Sequence, residues 1–421
     1  MRLLFIGINY SPEVAGISPH TAAICEHLAA RGHRVTVVTA FPFAPEWKRW
    51  REYRGRFMSR EELNGVEVVR LSHFIPRRPS SVVQRVLMEG TFCLTAILAL
   101  IPRYFYRWDA VVYVGAQPSI AMLVRLFSTL RRVPYVVNIM DFASQAAADV
   151  GMMRWAWLSR IFTAFEFASY RTASGAIVLC DGFKGTLVRR GYPVDRICIA
   201  PPSVDLAVIR PVGNHHEFRR RHQIEPGETI LLYSGSMGLK QGLSNVVEAA
   251  RLLQSTVPTL KWILVGDGAG KRALQELIKK YDLENTVLLL PFQSQDQMAS
   301  TFSAADALLL NQLAAMKDSV IPSKLLTYMA AGRAILAAVN NGSQAAHLLR
   351  EAGGAFIVTP EDPQCLASAA AEVTRSGAAL AAMGVRNRKY AEEHFDRPKL
   401  LRLQEDFLQR SLQPLNRYRD H

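Results

Sequence analysis

Short runs of Val, Ile and Leu alternate with amphipathic stretches of helical length along nearly the whole chain. Four to seven apolar residues bounded by turn signals suit a strand buried on both faces, and helices between them supply the crossovers of a parallel sheet. The alternation occurs twice. The first half predicts strands at 2–8, 34–39, 66–71, 110–114, 135–139, 176–179 and 197–200. The second predicts them at 230–234, 261–265, 287–290, 307–310, 334–339 and 355–358.

Between the halves the pattern lapses. Residues 205–228 hold Pro211, Gly213, Pro226, Gly227, the pair His215 and His216, and the basic run Arg219 to Arg221, which together read as a linker. The expected organisation is an N-terminal Rossmann-like domain over 1–205, a linker at 206–228 and a second such domain at 229–397. The last helical segment, 398–421, crosses back to the first domain. The expected fold is thus α/β, two doubly wound domains facing across a cleft, with ligands bound beyond the carboxyl ends of the strands.

Composition narrows the class. With 421 residues, 49% of them hydrophobic and 20% charged, the chain has enough apolar material for large cores and too little for a multi-span transporter. Its apolar start is too short and too soon polar for a signal peptide, and the longest apolar run, 91–101, stops at Pro102, well under the roughly 20 residues that cross a bilayer. The five cysteines, Cys25, Cys93, Cys180, Cys198 and Cys365, are scattered and odd in number, which fits a reducing, cytosolic compartment better than a disulfide framework. No histidine spacing matches a metal motif, and no metal with protein ligands is expected.

The net charge of +14 is uneven. Residues 1–210 contain 26 Lys+Arg against 15 Asp+Glu, and residues 211–421 contain 24 against 21. The basic excess of the first half would attract a polyanion: nucleic acid, an anionic membrane leaflet or a phosphorylated substrate.

Three strand-to-helix loops suit a phosphorylated ligand. Tyr10-Ser-Pro-Glu leads to Gly16, then to a helix with Ser18 as expected N-cap and Pro19 at its first position. Gly16 would let the backbone approach an anion near a helix N-terminus, although an ordinary loop has the same look. The run from Tyr233 to Gly242 places Gly235, Ser236, Gly238, Lys240 and Gly242 between a strand and a helix, with backbone donors and an ammonium for a diphosphate. Pro322-Ser-Lys-Leu325 begins a helix with Ser323 as expected cap, so Lys324 sits in the first turn, where its charge opposes the helix dipole and an anion would relieve it. Val265-Gly-Asp-Gly268 ends another strand on the same expected edge. Neither a G-x-G-x-x-G nor a Walker-type loop is present, which weighs against nicotinamide enzymes and P-loop NTPases.

As an ordered set, Tyr10-Ser-Pro-Glu, the Tyr233–Leu243 stretch, Val265-Gly-Asp-Gly268 and Pro322-Ser-Lys-Leu325 resemble the retaining glycosyltransferase family 4 with the GT-B fold. They look most like its bacterial polysaccharide branch, which contains the colanic-acid type enzymes. The resemblance implies sugar transfer from a nucleotide diphosphate donor with retention of configuration and without an obligatory metal or cofactor. It implies that Gly16 approaches the donor from the N-terminal side, that Gly235, Ser236, Gly266 and Ser323 line the donor site, that Lys240 and Lys324 hold the diphosphate, and that Phe292 in the loop 291–293 lies near the base. Asp141 falls where many members carry a histidine beside the transferred sugar. The family's paired glutamates, eight positions apart, correspond here to Ser319 and Thr327; the neighbouring Asp318 would then supply a carboxylate, and Thr327 would stand at the ribose.

The segment Trp47-Lys-Arg-Trp50-Arg-Glu-Tyr53-Arg-Gly-Arg56-Phe57 interleaves aromatics with cations, and Arg77, Arg78, Arg85, Arg103 and Arg107 flank the apolar run 91–101. Such material suits a headgroup layer, so the expected partners are a nucleotide-sugar donor, a lipid-linked or oligosaccharide acceptor and an anionic membrane surface at the inner face of the cell membrane. A nucleic acid is not expected, because no recognised binding module accompanies the charge. A catalytically silent nucleotide-sugar scaffold and a sugar-nucleotide epimerase share the architecture and stand as alternatives.

Overall fold

The computed structural model describes the whole chain except residues 14–15, 45, 79–80, 145–155, 214, 316–320 and 413–421. It divides into two compact units, Met1–Pro201 with Pro398–His421, and Pro202–Arg397. The last helix, Arg397–Leu412, packs with the first unit, and its Glu405 accepts from His27 and His33 at 2.9 and 3.1 Å.

The N-terminal unit is built on an eight-stranded sheet. Its strands are β1 Arg2–Ile6, β2 Arg34–Ala40, β3 Met58–Leu63, β4 Val66–Leu71, β5 Ala110–Gly115, β6 Tyr135–Ile139, β7 Gly175–Val178 and β8 Ile197–Ile199. They lie in the order β3-β4-β2-β1-β5-β6-β7-β8. All pairings are parallel except β3 with β4, which are antiparallel from Met58 opposite Leu71 to Leu63 opposite Val66. β3 is an addition to the expected set and follows directly on the aromatic-cationic segment 47–57. Asn64 and Gly65, at φ of 51° and 79°, make the two-residue turn between the strands, the backbone that an Asn-Gly hairpin favours. β3 alternates exposed and half-buried positions as an edge strand does, whereas β1, β5 and β6 are apolar and buried on both faces.

The C-terminal unit carries a six-stranded, wholly parallel sheet in the order β11-β10-β9-β12-β13-β14. The strands are β9 Thr229–Ser234, β10 Leu260–Val265, β11 Val287–Leu290, β12 Ala307–Asn311, β13 Ala334–Ala338 and β14 Ala355–Val358. Trp262, Leu264 and Tyr233 fill one side of it, packed on Val246, Val247 and Ala250 of helix Ser244–Leu253 and on Leu366 and Ala370 of helix Pro363–Arg375. Each fully buried side chain of that size contributes on the order of 2 kcal/mol from water exclusion.

Several local expectations need correction. Helix Ser18–Ala30 starts at Ser18 itself, with Ile17 in the capping position and no side-chain cap, so the buried Ser18 hydroxyl does not cap. Helix Ser323–Ala330 likewise starts at Ser323, preceded by Pro322 and uncapped by a side chain. In both, the chain enters the helical conformation one residue earlier than the Ser pattern implies. The apolar run 91–101 is the inner part of a 22-residue helix, Val82–Arg103, capped by Ser81 and containing Pro102 in its last turn. The expected linker contains a short helix, His215–Arg221, whose Arg219 pairs with Asp306 at 2.8 Å.

Candidate active site

Two loops at the carboxyl ends of β9 and β10 are stacked backbone on backbone. Gly235 donates to the Val265 carbonyl at 2.9 Å, Met237 to the Asp267 carbonyl at 2.7 Å, and Gly270 returns a bond to the Met237 carbonyl at 2.8 Å. Gly235 and Gly266 sit at φ of 145° and 150°, which side chains disfavour. A Cβ on Gly266 would fall 1.9 Å from the Gly235 carbonyl oxygen, and one on Gly268 would meet the Met237 backbone below 3 Å. Glycine is therefore required for the close approach of the two loops.

The ammonium of Lys324 lies over this stack. It is 4.2 Å from the centroid of the Tyr233 ring, donates to the Tyr233 hydroxyl at 2.6 Å and to Gln241 Oε1 at 2.8 Å, and a Cβ on Gly235 would be 3.1 Å from it. The Tyr233 hydroxyl in turn donates to the Ser236 carbonyl. Among the described residues no carboxylate lies within ion-pair distance of Lys324. Burial lowers its pKa from 10.5 to about 7. A bound anion would favour its protonated form.

The loop and strand end around the lysine are held by residues that the sequence reading left unassigned. Asn311, at the end of β12 and almost fully buried, donates to the carbonyls of Gln241 and Gly242 at 2.7 and 3.0 Å and accepts from Asn245 at 3.1 Å. Tyr328, one turn after Lys324, accepts from the Ser234 amide at 2.7 Å and donates to the Ser234 carbonyl at 3.0 Å, locking the helix to the end of β9. Their signal in sequence is weak, a polar residue ending a buried strand and a tyrosine in a short apolar helix.

Of the expected donor residues, Gly235, Ser236, Gly266 and Lys324 meet here. Lys240 neighbours Gln241 in a single 3-10 turn, Leu239–Gln241, with its side chain exposed. Ser323 opens the lysine's helix, and the Thr327 hydroxyl is turned onto the Ser323 carbonyl at 3.3 Å. Phe292 is 58% exposed beyond β11 and outside the lysine network. Asp318 and Ser319 lie outside the described residues.

Gly16 and Asp141 belong to the N-terminal unit. Gly16, at φ 66°, is exposed just before helix Ser18–Ala30. The preceding motif residues are structural: Tyr10 is buried, the Ser11 carbonyl accepts from the fully buried Arg70, and Glu13 accepts from the amides of Phe43 and Ala44 at 2.7 and 2.8 Å. Asp141 follows β6, half-buried, with Oδ1 accepting from the Phe142 amide at 2.8 Å. Behind it the fully buried Glu166 accepts from the amides of Ala143 and Ser144 at 2.7 and 3.0 Å. Burial raises the Glu166 pKa, against the lowering effect of the Ser144 and Ala143 bonds, and the Asp141 charge raises it further. Among the described residues no group of three or more His, Cys, Asp or Glu forms a candidate metal centre.

The two units match two family models: residues 15–203 match a glycosyl transferase 4-like domain, and residues 214–390 match the glycosyl transferases group 1 domain. The chain is 29% identical over 410 residues to the glycosyl transferase WcaI of Escherichia coli K12, named for colanic acid biosynthesis, covering 96% of this chain and 98% of the relative. In structure it is similar to sucrose-phosphate synthase from Thermosynechococcus elongatus (TM-score 0.73, 18% identity, 98% of each chain). It is also similar to Anabaena Alr3699/HepE in complex with UDP-glucose (TM-score 0.70, 15% identity, 97% of this chain and 100% of that one). Matching domains in sequential order, the two-sheet α/β architecture and near full-length likeness to a polysaccharide enzyme agree: the chain belongs to the family 4-like glycosyltransferases of the GT-B fold and to their polysaccharide-biosynthesis branch.

Proposed function

We propose that the protein transfers a sugar, with retention of anomeric configuration, from a nucleotide diphosphate donor to a lipid-linked glycan acceptor at the inner face of the cell membrane, with no obligatory metal. The observation that carries this reading is the enclosed ammonium of Lys324 on the glycine stack of Gly235 and Gly266. A leaving diphosphate gathers negative charge as the glycosidic bond breaks, and a fixed cation beside it stabilises that charge without a metal. Lys240, on the exposed side of the same loop, supplies a second cation that a bound diphosphate draws in. The HepE structure with UDP-glucose is consistent with a nucleotide-sugar donor. Gly16 and Asp141 are then the N-terminal contributions, Asp141 beside the transferred sugar.

The test is turnover of a panel of uridine-, guanosine- and thymidine-diphosphate sugars with a lipid-linked acceptor, product configuration being read by NMR. A retained linkage formed only with acceptor present supports the reading. Release of an altered nucleotide sugar without acceptor identifies an epimerase instead. The silent-scaffold alternative draws support from Thr327, whose hydroxyl stands where the family has a glutamate; binding without turnover across the panel would establish it.

A further inference from the structure

Three helices of the N-terminal unit pack side by side, Val82–Arg103 against Pro118–Arg131 and the latter against Ala156–Tyr170. All three expose apolar side chains. The first turns Met88, Phe92, Ala96, Ala99 and Leu100 into the fold, yet its outer face is also apolar: Val83 and Leu94 are 68% and 66% exposed, with Val86, Leu87, Leu98 and Ile101 beside them. Leu126 and Leu130 on the second, and Trp157, Ile161 and Phe165 on the third, are exposed as well, as is Phe105 just past the first. An outward face of a helix in water is ordinarily polar, and an apolar surface continued over three helices marks an interface.

Charge identifies the occupant. These helices contain two carboxylates, Glu89 and Glu166, and neither is exposed. Glu166 is fully buried on the Ala143 and Ser144 amides, and Glu89 is hydrogen-bonded to Ser119. The exposed cations Arg77, Arg78, Arg85, Arg107, Arg132 and Arg160 lie on these helices or on the segments that flank them. A second copy of the chain would bring like charges together, whereas anionic headgroups would meet the cations while acyl chains take the apolar side chains. The first helix is long and apolar enough to cross a membrane, but its inner side is buried against the rest of the unit and anchors it to the fold. One-sided burial of this kind favours a helix lying in the plane of a leaflet.

We infer that the outer face of helices Val82–Arg103, Pro118–Arg131 and Ala156–Tyr170 is an in-plane docking surface for an anionic lipid leaflet. The inference rests on the glycosyltransferase reading with a lipid-linked acceptor and goes further by naming the surface and its orientation. The docked leaflet would present such an acceptor to the domain that carries Gly16 and Asp141.

The test is flotation of the full-length protein with vesicles of phosphatidylcholine containing phosphatidylglycerol, and with phosphatidylcholine alone, for wild type, L94E/I101E and L130E. Wild type is expected to float with the anionic vesicles and to be released by high salt. Each variant should lose at least about tenfold in partitioning, since a carboxylate must enter the acyl boundary. Folding and the donor site are checked separately by the nucleoside-diphosphate thermal shift, which all variants should keep. Equal flotation of wild type and variants overturns the inference, as does a wild-type dimer in vesicle-free solution that these substitutions dissociate. Failure of the thermal shift in wild type would instead count against the donor reading and leave the flotation result to judge the surface.

Discussion

Lys324 donates to the Tyr233 hydroxyl at 2.6 Å while its ammonium stands 4.2 Å from the centre of the same ring. Ninety-one residues separate the two. Their contact joins the end of β9 to the helix that follows β12, and it keeps the ammonium in a place that offers it hydroxyl, amide and ring but, among the described residues, no carboxylate.

That environment makes a pH prediction. The Lys324 pKa is about 7 in the folded protein against 10.5 ordinarily, so between those values the unfolded chain binds the extra proton. The contribution of this group to the stability of the ligand-free protein therefore rises with pH across that window and is least favourable below about 7. K324M should flatten this part of the thermal-stability profile, measured by calorimetry from pH 6 to 10. In wild type, nucleoside-diphosphate affinity should weaken by up to about tenfold per pH unit above 7, because binding then requires proton uptake.

The glycine stack predicts a substitution that disables the donor loop from the neighbouring strand. In G266A the new methyl meets the Gly235 carbonyl at a distance no packing allows, at a φ that alanine resists. A loss of roughly 1–3 kcal/mol in stability is expected, with the nucleotide-dependent thermal shift abolished. Thermal denaturation with and without uridine diphosphate would check both.

Glu166 predicts a separation of binding from turnover. E166A leaves the amides of Ala143 and Ser144 unpaired next to Asp141, whereas E166Q keeps one acceptor oxygen in place. On the proposal that Asp141 acts beside the transferred sugar, E166A should lower kcat by at least about tenfold while nucleotide affinity stays unchanged, and E166Q should restore part of it. Steady-state kinetics with the lipid-linked acceptor, alongside calorimetric titration of the nucleotide, distinguishes this positioning role from general destabilisation.

The C-terminal helix supplies an acid-sensitive latch. Burial tends to raise the Glu405 pKa, but hydrogen bonds from His33 and His27 and the charge of Arg31 outweigh it, and the net shift is downward. A depressed carboxylate pKa gives stability that is present above the unfolded value and is lost as pH falls through the folded one. E405Q should cost about 1–3 kcal/mol at neutral pH and move less on acidification than wild type does between pH 5 and 3. Limited proteolysis within 397–412 reads release of the helix directly.

The parallel strands were legible because each is a short apolar run between turn signals, and Lys324 because a cation in the first turn of a helix goes against the dipole. Tyr233, Gln241 and Asn311 were not legible as a unit, since their contacts with one another or with Lys324 span 70 to 91 residues and spacing in sequence carries no trace of them. β3 was missed although Asn64-Gly65 signals a hairpin, because Met58–Leu63 carries three charged residues and reads as loop until its edge position is known. The 22-residue helix was underestimated because its first nine residues interleave Gln84, Arg85, Glu89 and Gly90 with apolar ones and so broke the apolar run, while Pro102 in the last turn leaves the preceding turns intact. The exposed apolar side chains of the helices Pro118–Arg131 and Ala156–Tyr170 were not singled out in the sequence, because helical spacing of apolar residues does not by itself tell a buried face from an exposed one.

The central claim is that Lys324 on the glycine stack receives the diphosphate of the donor. Isothermal calorimetry at pH 6.5, with uridine, guanosine and thymidine diphosphates in turn, compares wild type with K324M. For whichever nucleotide binds wild type best, loss of a charge-assisted contact should weaken binding by roughly 10- to 100-fold in the variant. Equal affinities for wild type and K324M would contradict the account.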